Sequence, residues 1–167
     1  RHREEQWRTV LKMPLFGCVM RAEVENIKEV RLSPDIQWAL TMECGRCGTQ
    51  TEKEIFITAG ERVDITNSRG TCNVEFVCKY CQNRGTIDIE SGSYQPWEEG
   101  SDKPIAKFEC RNFAPLSWRP TSGLIAVSEE GTEFSEIEIE DGDWADYDDK
   151  AGVSVALYGV TSSFERC

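Results

Sequence analysis

Apolar and polar residues alternate along most of this chain. A period near two runs through residues 21–32 (RAEVENIKEVRL), 37–44 (QWALTMEC), 53–60 (KEIFITAG), 73–78 (NVEFVC) and 85–90 (GTIDIE). It returns in 106–110 (AKFEC), 123–127 (GLIAV), 135–140 (SEIEIE) and 154–160 (SVALYGV). Successive side chains of a strand point to opposite faces, so this pattern marks half-buried β-strands. Turn formers punctuate the runs at Ser33-Pro34-Asp35, Ala59-Gly60-Glu61, Ser68-Arg69-Gly70 and Asn83-Arg84-Gly85. Short strands at that spacing, with no helical stripe beyond about two turns, predict an all-β fold.

The predicted strands also resemble one another. At a shift of 86, residues 21–32 lie on 107–118 (KFECRNFAPLSW), so Glu23 meets Glu109 and Asn26 meets Asn112. Ala22, Val24, Ile27, Val30 and Leu32 then meet Phe108, Cys110, Phe113, Leu116 and Trp118. At a shift of 82, residues 54–65 (EIFITAGERVDI) lie on 136–147 (EIEIEDGDWADY) with five of twelve positions identical, and Gly70 meets Gly152. Two similar β halves related by internal duplication are expected, 13–97 and 98–167. The Pro-, Gly- and charge-rich stretch 94–104 (YQPWEEGSDKP) joins them. Under the 82 shift Cys78 and Cys81 fall on Val160 and Ser163, and Cys44 and Cys47 fall near Ser128–Gly131. The first half alone would then carry the four cysteines, with the second as its metal-free partner.

Composition narrows the function. At 167 residues and 39% hydrophobic content, the chain can build a sizeable core. Its net charge of -11 repels phosphate backbones, which argues against nucleic acid as a partner. No run approaches the roughly 20 apolar residues that span a bilayer, and the N-terminus lacks an apolar leader. The expectation is a monomeric intracellular protein of the cytoplasm, bound neither to nucleic acid nor to membrane. Residues 1–12 (RHREEQWRTVLK) hold the sole histidine, His2, and read as a tag or native extension outside the domain. The domain itself is left without histidine, so no enzyme is expected: general acid–base hydrolysis through imidazole has no agent.

An acidic segment stands out at 128–149, where eleven carboxylates occur without a cation. Ile137 and Ile139 can point inward while Glu136, Glu138 and Glu140 face solvent. The segment reads first as a solvated face. It also supplies the candidate docking surface for a basic protein partner, with Glu136, Glu138, Glu140, Asp141 and Asp143 as its residues.

The sharpest chemistry is in the sulfurs. Cys44-Gly-Arg-Cys47 and Cys78-Lys-Tyr-Cys81 are two CxxC pairs set about thirty residues apart, the spacing of a four-thiolate zinc site. Within such a turn both thiolates reach one metal while backbone amides point at sulfur. Gly48 after Cys47 suits the positive φ that closes the turn, whereas Gln82 after Cys81 departs from that preference. Arg46 and Lys79, inside the turns, could offset the negative charge of a zinc tetrathiolate. A disulfide framework suits a small secreted domain better than this chain, and a thioredoxin-like motif wants one CxxC at a helix start. An iron centre is compatible with the same ligands. Four thiolates leave no open coordination position, so a zinc here is structural. Of the other cysteines, Cys18, Cys72 and Cys110 read as buried, inert thiols and Cys167 as an accessible terminal one.

These motifs resemble a known family, the eukaryotic CXXC-motif-containing zinc-binding proteins. The likeness is carried by AEVENIKEV (22–30), WALTMECGRCG (38–48), VCKYC (77–81), KFECRNFAPLSW (107–118), GTEFSEIEIEDGDWADYD (131–148) and VALYGVTSSFERC (155–167). It runs from about Met13 to Cys167, with the motifs in order. The resemblance implies an all-β protein of two similar halves, one zinc on Cys44, Cys47, Cys78 and Cys81, and no established enzymatic activity. The expected function is therefore that of a non-catalytic protein with one structural zinc per chain, acting through contact with an unidentified protein. The alternative is a thiol-redox or metal-handling protein whose zinc exchanges.

Overall fold

A computed structural model describes residues 14–167, and their regular structure is entirely β-strand. The expected tag or extension at 1–12, His2 included, lies outside the described residues. In chain order the strands are β1 (Leu15–Glu25), β2 (Ile27–Leu32), β3 (Trp38–Cys44), β4 (Ile55–Ile57), β5 (Val63–Asp64), β6 (Thr71–Cys72) and β7 (Val74–Val77). They continue as β8 (Arg84–Ile89), β9 (Ala106–Arg111), β10 (Phe113–Trp118), β11 (Leu124–Ser128), β12 (Glu133–Phe134), β13 (Trp144–Asp148) and β14 (Val153–Arg166). A six-stranded sheet runs β13-β14-β1-β9-β8-β7, beside three-stranded sheets β10-β3-β4 and β2-β11-β12 and the small β5-β6 ribbon. Among the described residues no helix is long and apolar enough to cross a membrane.

Alternation found most strands because most have one face on the core. In β9, Ala106, Phe108 and Cys110 are buried while Lys107, Glu109 and Arg111 are more open. The start of β1 escaped that reading because Cys18, Val19 and Met20 are buried in succession, so this central strand shows a continuous apolar run. Conversely, 135–140 alternates as expected, with Ile137 and Ile139 buried and Glu136, Glu138 and Glu140 exposed, yet it forms no strand. Ile139 donates its N–H to Thr121 O at 2.8 Å and Glu140 bridges to Asp143. An extended chain can bury alternate side chains without a ladder.

The run 21–32 is split at Asn26, whose φ is +53°, and Asn112 does the same between β9 and β10 with φ +66°. Asparagine tolerates this left-handed backbone better than most residues. Each break carries the chain out of the six-stranded sheet into a three-stranded one. There the two stretches interleave: β3 pairs with β10 and β2 with β11. One hydrophobic cluster draws on all three sheets, including Phe108 and Leu157, Trp38 and Trp118, and Val30 and Leu124. Trp38 sits at its centre, 4.6 Å from the ring of Trp118 and 5.0 Å from that of Phe108. The joining stretch 94–104 is itself tied into this core. Trp97 is buried, exchanges backbone hydrogen bonds with Val30 and donates its indole N–H to Met20 O at 2.8 Å.

Strand order is symmetric about the β1–β9 pair, with β14 in the place of β8 and β13 in the place of β7 on the opposite side, and β10-β3-β4 matching β2-β11-β12. The 86 shift fits strand bounds from the end of β1 to the start of β3, since Ile27 and Trp38 begin β2 and β3 as Phe113 and Leu124 begin β10 and β11. It has fallen to 84 where Cys44 and Ser128 end β3 and β11. The 82 shift does not fit. Leu40 pairs with Ile55 where Ala126 pairs with Phe134, so Ile55 corresponds to Phe134 at a shift of 79. Loop lengths explain the drift: 45–54 between β3 and β4 is longer than 129–132 between β11 and β12, and 58–73 between β4 and β7, which holds the β5-β6 ribbon, is longer than 135–143 between β12 and β13.

Candidate metal centre

Two loops build the centre. The first leaves β3 at Cys44, and the second is the turn joining β7 to β8. Sheet pairing brings them together. Phe113 of β10 faces Cys44, while Phe113 also packs its ring 4.5 Å from Phe76 of β7. Gly85 at the start of β8 lies under the Phe113 ring, where a β-carbon would collide with Cδ1. Each loop closes on itself in the same way. Gly48 donates its N–H to Cys44 O at 2.9 Å and Gln82 to Cys78 O at 3.0 Å. Both closing residues have positive φ, +74° for Gly48 and +63° for Gln82. The second turn thus takes the shape expected of glycine while carrying a side chain.

Cys44, Cys47, Cys78 and Cys81 converge, their sulfurs all within 4.8 Å of one another. Cys44 and Cys81 approach to 3.6 Å, as do Cys47 and Cys78, so the closest sulfurs belong to opposite loops. A tetrahedron with Zn–S bonds of about 2.3 Å has edges of about 3.8 Å. The donor set and its spacing therefore fit zinc. Cys44 and Cys78 are buried, Cys81 is half-buried and Cys47 is exposed.

The surroundings are built to hold thiolates. Burial opposes ionisation of Cys44, but the N–H of Cys47, the Asn83 amide, the N–H of Arg46 and the Cys81 thiol outweigh it and bring its pKa down to about 6. Thr49 lowers Cys47 first through its hydroxyl, 3.2 Å from the sulfur, and then through its N–H. The Asn83 N–H favours ionised Cys81, yet burial and the three neighbouring sulfurs prevail and raise it to about 11. Four sulfurs this close cannot all ionise alone, and a divalent cation removes the conflict. Lys79 is drawn aside to Glu52 at 3.3 Å, which also accepts the Tyr80 hydroxyl at 2.6 Å. The groups that favour ionised sulfur are amides and a hydroxyl, and of the two cations expected to offset the charge Lys79 is paired with Glu52.

Asn83 was not foreseen in the sequence. It is buried, reaches Cys44 Sγ at 3.5 Å and donates to Asn112 O at 3.3 Å, which links the centre to the break between β9 and β10. A faint signal existed: Thr49 and Asn83 each stand two residues after the second cysteine of their pair. The remaining cysteines are not drawn in. Cys18, Cys72 and Cys110 are buried elsewhere, with burial pushing the Cys110 thiol up to about 12, and Cys167 is exposed. Glu136, Glu138, Glu140, Asp141 and Asp143 are all exposed, and Asp143 accepts the N–H of Gly159 at 2.9 Å.

Fold and donor set define an all-β protein with a closed four-cysteine metal centre. The chain belongs to the eukaryotic family of CXXC motif containing zinc binding proteins, whose model matches residues 18–165. It is 36% identical over 160 residues to the CXXC motif containing zinc binding protein of Homo sapiens, covering 93% of this chain and 100% of that one. The Xenopus laevis protein of the same name gives the same identity and coverage. Among solved structures, that of C1orf123 superposes with a TM-score of 0.83 at 34% identity, covering 92% of this chain and 99% of the other. A hypothetical protein from Plasmodium falciparum shares the fold at a TM-score of 0.79 and 21% identity, covering 92% of this chain and all of that one.

Proposed function

We propose that this protein is a non-catalytic zinc protein: one structural zinc bound by Cys44, Cys47, Cys78 and Cys81 holds two loops together, and the monomer works through protein–protein contact. The convergence of four sulfurs within 4.8 Å carries the metal reading. Four thiolates complete the tetrahedron and leave no place for a substrate or water. A contact role is supported by the exposed carboxylates Glu136, Glu138, Glu140, Asp141 and Asp143 beside a turn, a one-signed surface suited to a basic protein. Reversing the charge of Glu136, Glu138 and Glu140 together should weaken capture of such a partner in a salt-dependent way. Undiminished capture would remove this surface from the proposal.

We also infer that the two stretches arose by duplication of one unit. Mirrored strand order, interleaved three-stranded sheets and the paired breaks at Asn26 and Asn112 support that history. A second functional reading has one observation in its favour. Cys47 is exposed, so oxidants can reach the centre, and the 3.6 Å approaches would make any disulfide cross between loops rather than form within a CxxC pair. Native mass spectrometry before and after mild peroxide separates the two. One zinc retained supports the structural site. Zinc released reversibly, with a cross-loop disulfide, supports metal or redox handling instead.

A further inference from the structure

Asp148 ends β13 in the acidic segment, yet unlike its neighbours it is buried, at 1% exposure. Four donors meet its carboxylate. Oδ2 accepts the Ser128 hydroxyl at 2.7 Å, and Oδ1 accepts the Thr132 hydroxyl at 3.0 Å and the N–H groups of Lys150 at 3.1 Å and Ala151 at 3.4 Å. Ser128 Oγ in turn accepts the Thr132 N–H at 3.0 Å. Three donors converge on Oδ1 and one meets Oδ2, and together these hydrogen bonds offset the cost of burying the charge.

Its place in the fold gives the network meaning. Ser128 ends β11 as Cys44 ends β3, and the loops close comparably, the second one residue shorter: Gly131 donates to Ser128 O at 2.9 Å and Gly48 to Cys44 O at 2.9 Å. The Ser128 N–H goes to Thr132 O as the Cys44 N–H goes to Thr49 O, both at 2.9 Å. In the other loop Gly152, φ +68°, donates to Asp148 O at 2.8 Å, where Gln82, φ +63°, donates to Cys78 O at 3.0 Å. The Asn breaks match too. Asn112 O accepts from Gly45 at 2.8 Å and its side chain donates to Arg84 O at 2.8 Å. Asn26 O accepts from Glu129 at 3.1 Å and its side chain donates to Ser154 O at 2.8 Å. By these correspondences Ser128 stands where Cys44 does and Asp148 where Cys78 does. The shift in the second loop is 70, not the 82 that alignment of patterns had set against Val160.

We propose that the Ser128–Thr132–Asp148 network is the metal-free counterpart of the zinc centre, a hydrogen-bonded staple that closes the second loop pair independently of metal, so that metal loss opens the first pair alone. This rests on the reading of the four sulfurs as a zinc site. The device converts metal occupancy into local order. Residues 44–49 and 78–84 tighten or loosen with zinc, while 128–134 and 148–154 remain a fixed frame for the interleaved sheets.

Hydrogen exchange followed by mass spectrometry on the full chain tests it, with zinc counted in parallel by native mass spectrometry. Removing zinc from the wild type with a strong chelator should raise exchange at least about tenfold in 44–49 and 78–84 and leave 128–134 and 148–154 within about twofold. Asp148→Asn should do the reverse, loosening 128–134 and 148–154 while retaining one zinc. If that variant does not fold, Thr132→Val, which removes one hydroxyl donor at nearly constant volume, should show the same local loosening. Equal loosening of both loop pairs on chelation would overturn the proposal, as would an unchanged second pair in the substituted protein. A wild type that binds no zinc would instead overturn the metal reading, with the Asp148 and Thr132 variants still deciding the staple.

Discussion

The loop pair at 44–49 and 78–83 and the pair at 128–132 and 148–152 have matching backbone hydrogen bonds and different centres. One gathers four sulfurs, and the other gathers four donors around one carboxylate. Both need amide N–H groups aimed at negative charge, and both need a positive φ where each loop closes. The difference lies in what the closure depends on. Thiolates packed this closely require a cation, so the first pair is conditional on metal supply and thiol oxidation state. The carboxylate carries its partners within the chain, so the second is conditional only on protons.

The largest effect should come from a ligand. Cys81→Ser should lower zinc affinity by more than about a hundredfold, beyond the range of outer-shell changes, and destabilise the protein, because metal binding here contributes directly to folding. Competition with a chromophoric zinc chelator and a urea titration measure both. Cys110→Ser is the control and should keep one zinc. A halved zinc content in that control would contradict the ligand assignment.

Acid should act on the second pair. The Ser128 hydroxyl, then the Thr132 hydroxyl and two N–H groups, hold the Asp148 carboxyl below its ordinary range against its burial. Its stabilising contribution is present above the unfolded value near 4 and is lost as pH falls through the lowered folded value. The difference in Tm between wild type and Asp148→Asn should therefore be fully developed at neutral pH and shrink below about pH 4. A gap that is constant from pH 7 to 2 would show that the charge on Asp148 is not what stabilises the loop.

The smallest effect concerns Gln82, which holds φ +63° where Gly152 stands in the second pair. Gln82→Gly should relieve the backbone at the cost of its side-chain contact to Lys79 O, a net gain of about 0.5 kcal/mol in zinc-bound stability by urea denaturation. Loss of stability would mean that the 3.3 Å contact outweighs the backbone conformation.

Much of this was legible in the chain. Alternation located most strands, and the two CxxC pairs pointed to one metal, because both signals depend on near neighbours. The start of β1 was missed because burial on both faces erases alternation at Cys18, Val19 and Met20. Trp97 was hidden among linker-like residues, although its ring lies in the core. Asp148 was one of eleven acids in a row of exposed ones, and nothing in its own neighbourhood marks it as buried.

By itself the sequence determined the β character and the two CxxC pairs that supply the sulfurs, since spacing within a strand or turn fixes which side chains share a face, while the breaks at Asn26 and Asn112 that split the alternating runs came from the fold. Tertiary structure alone decided that β3 pairs with β10 and β2 with β11, that 78–81 meets 44–47, and that Asp148 rather than Val160 stands opposite Cys78. Those outcomes depend on loop lengths and on contacts between residues far apart in the chain. Burial and hydrogen bonding settle them only when the sheets close on a common core.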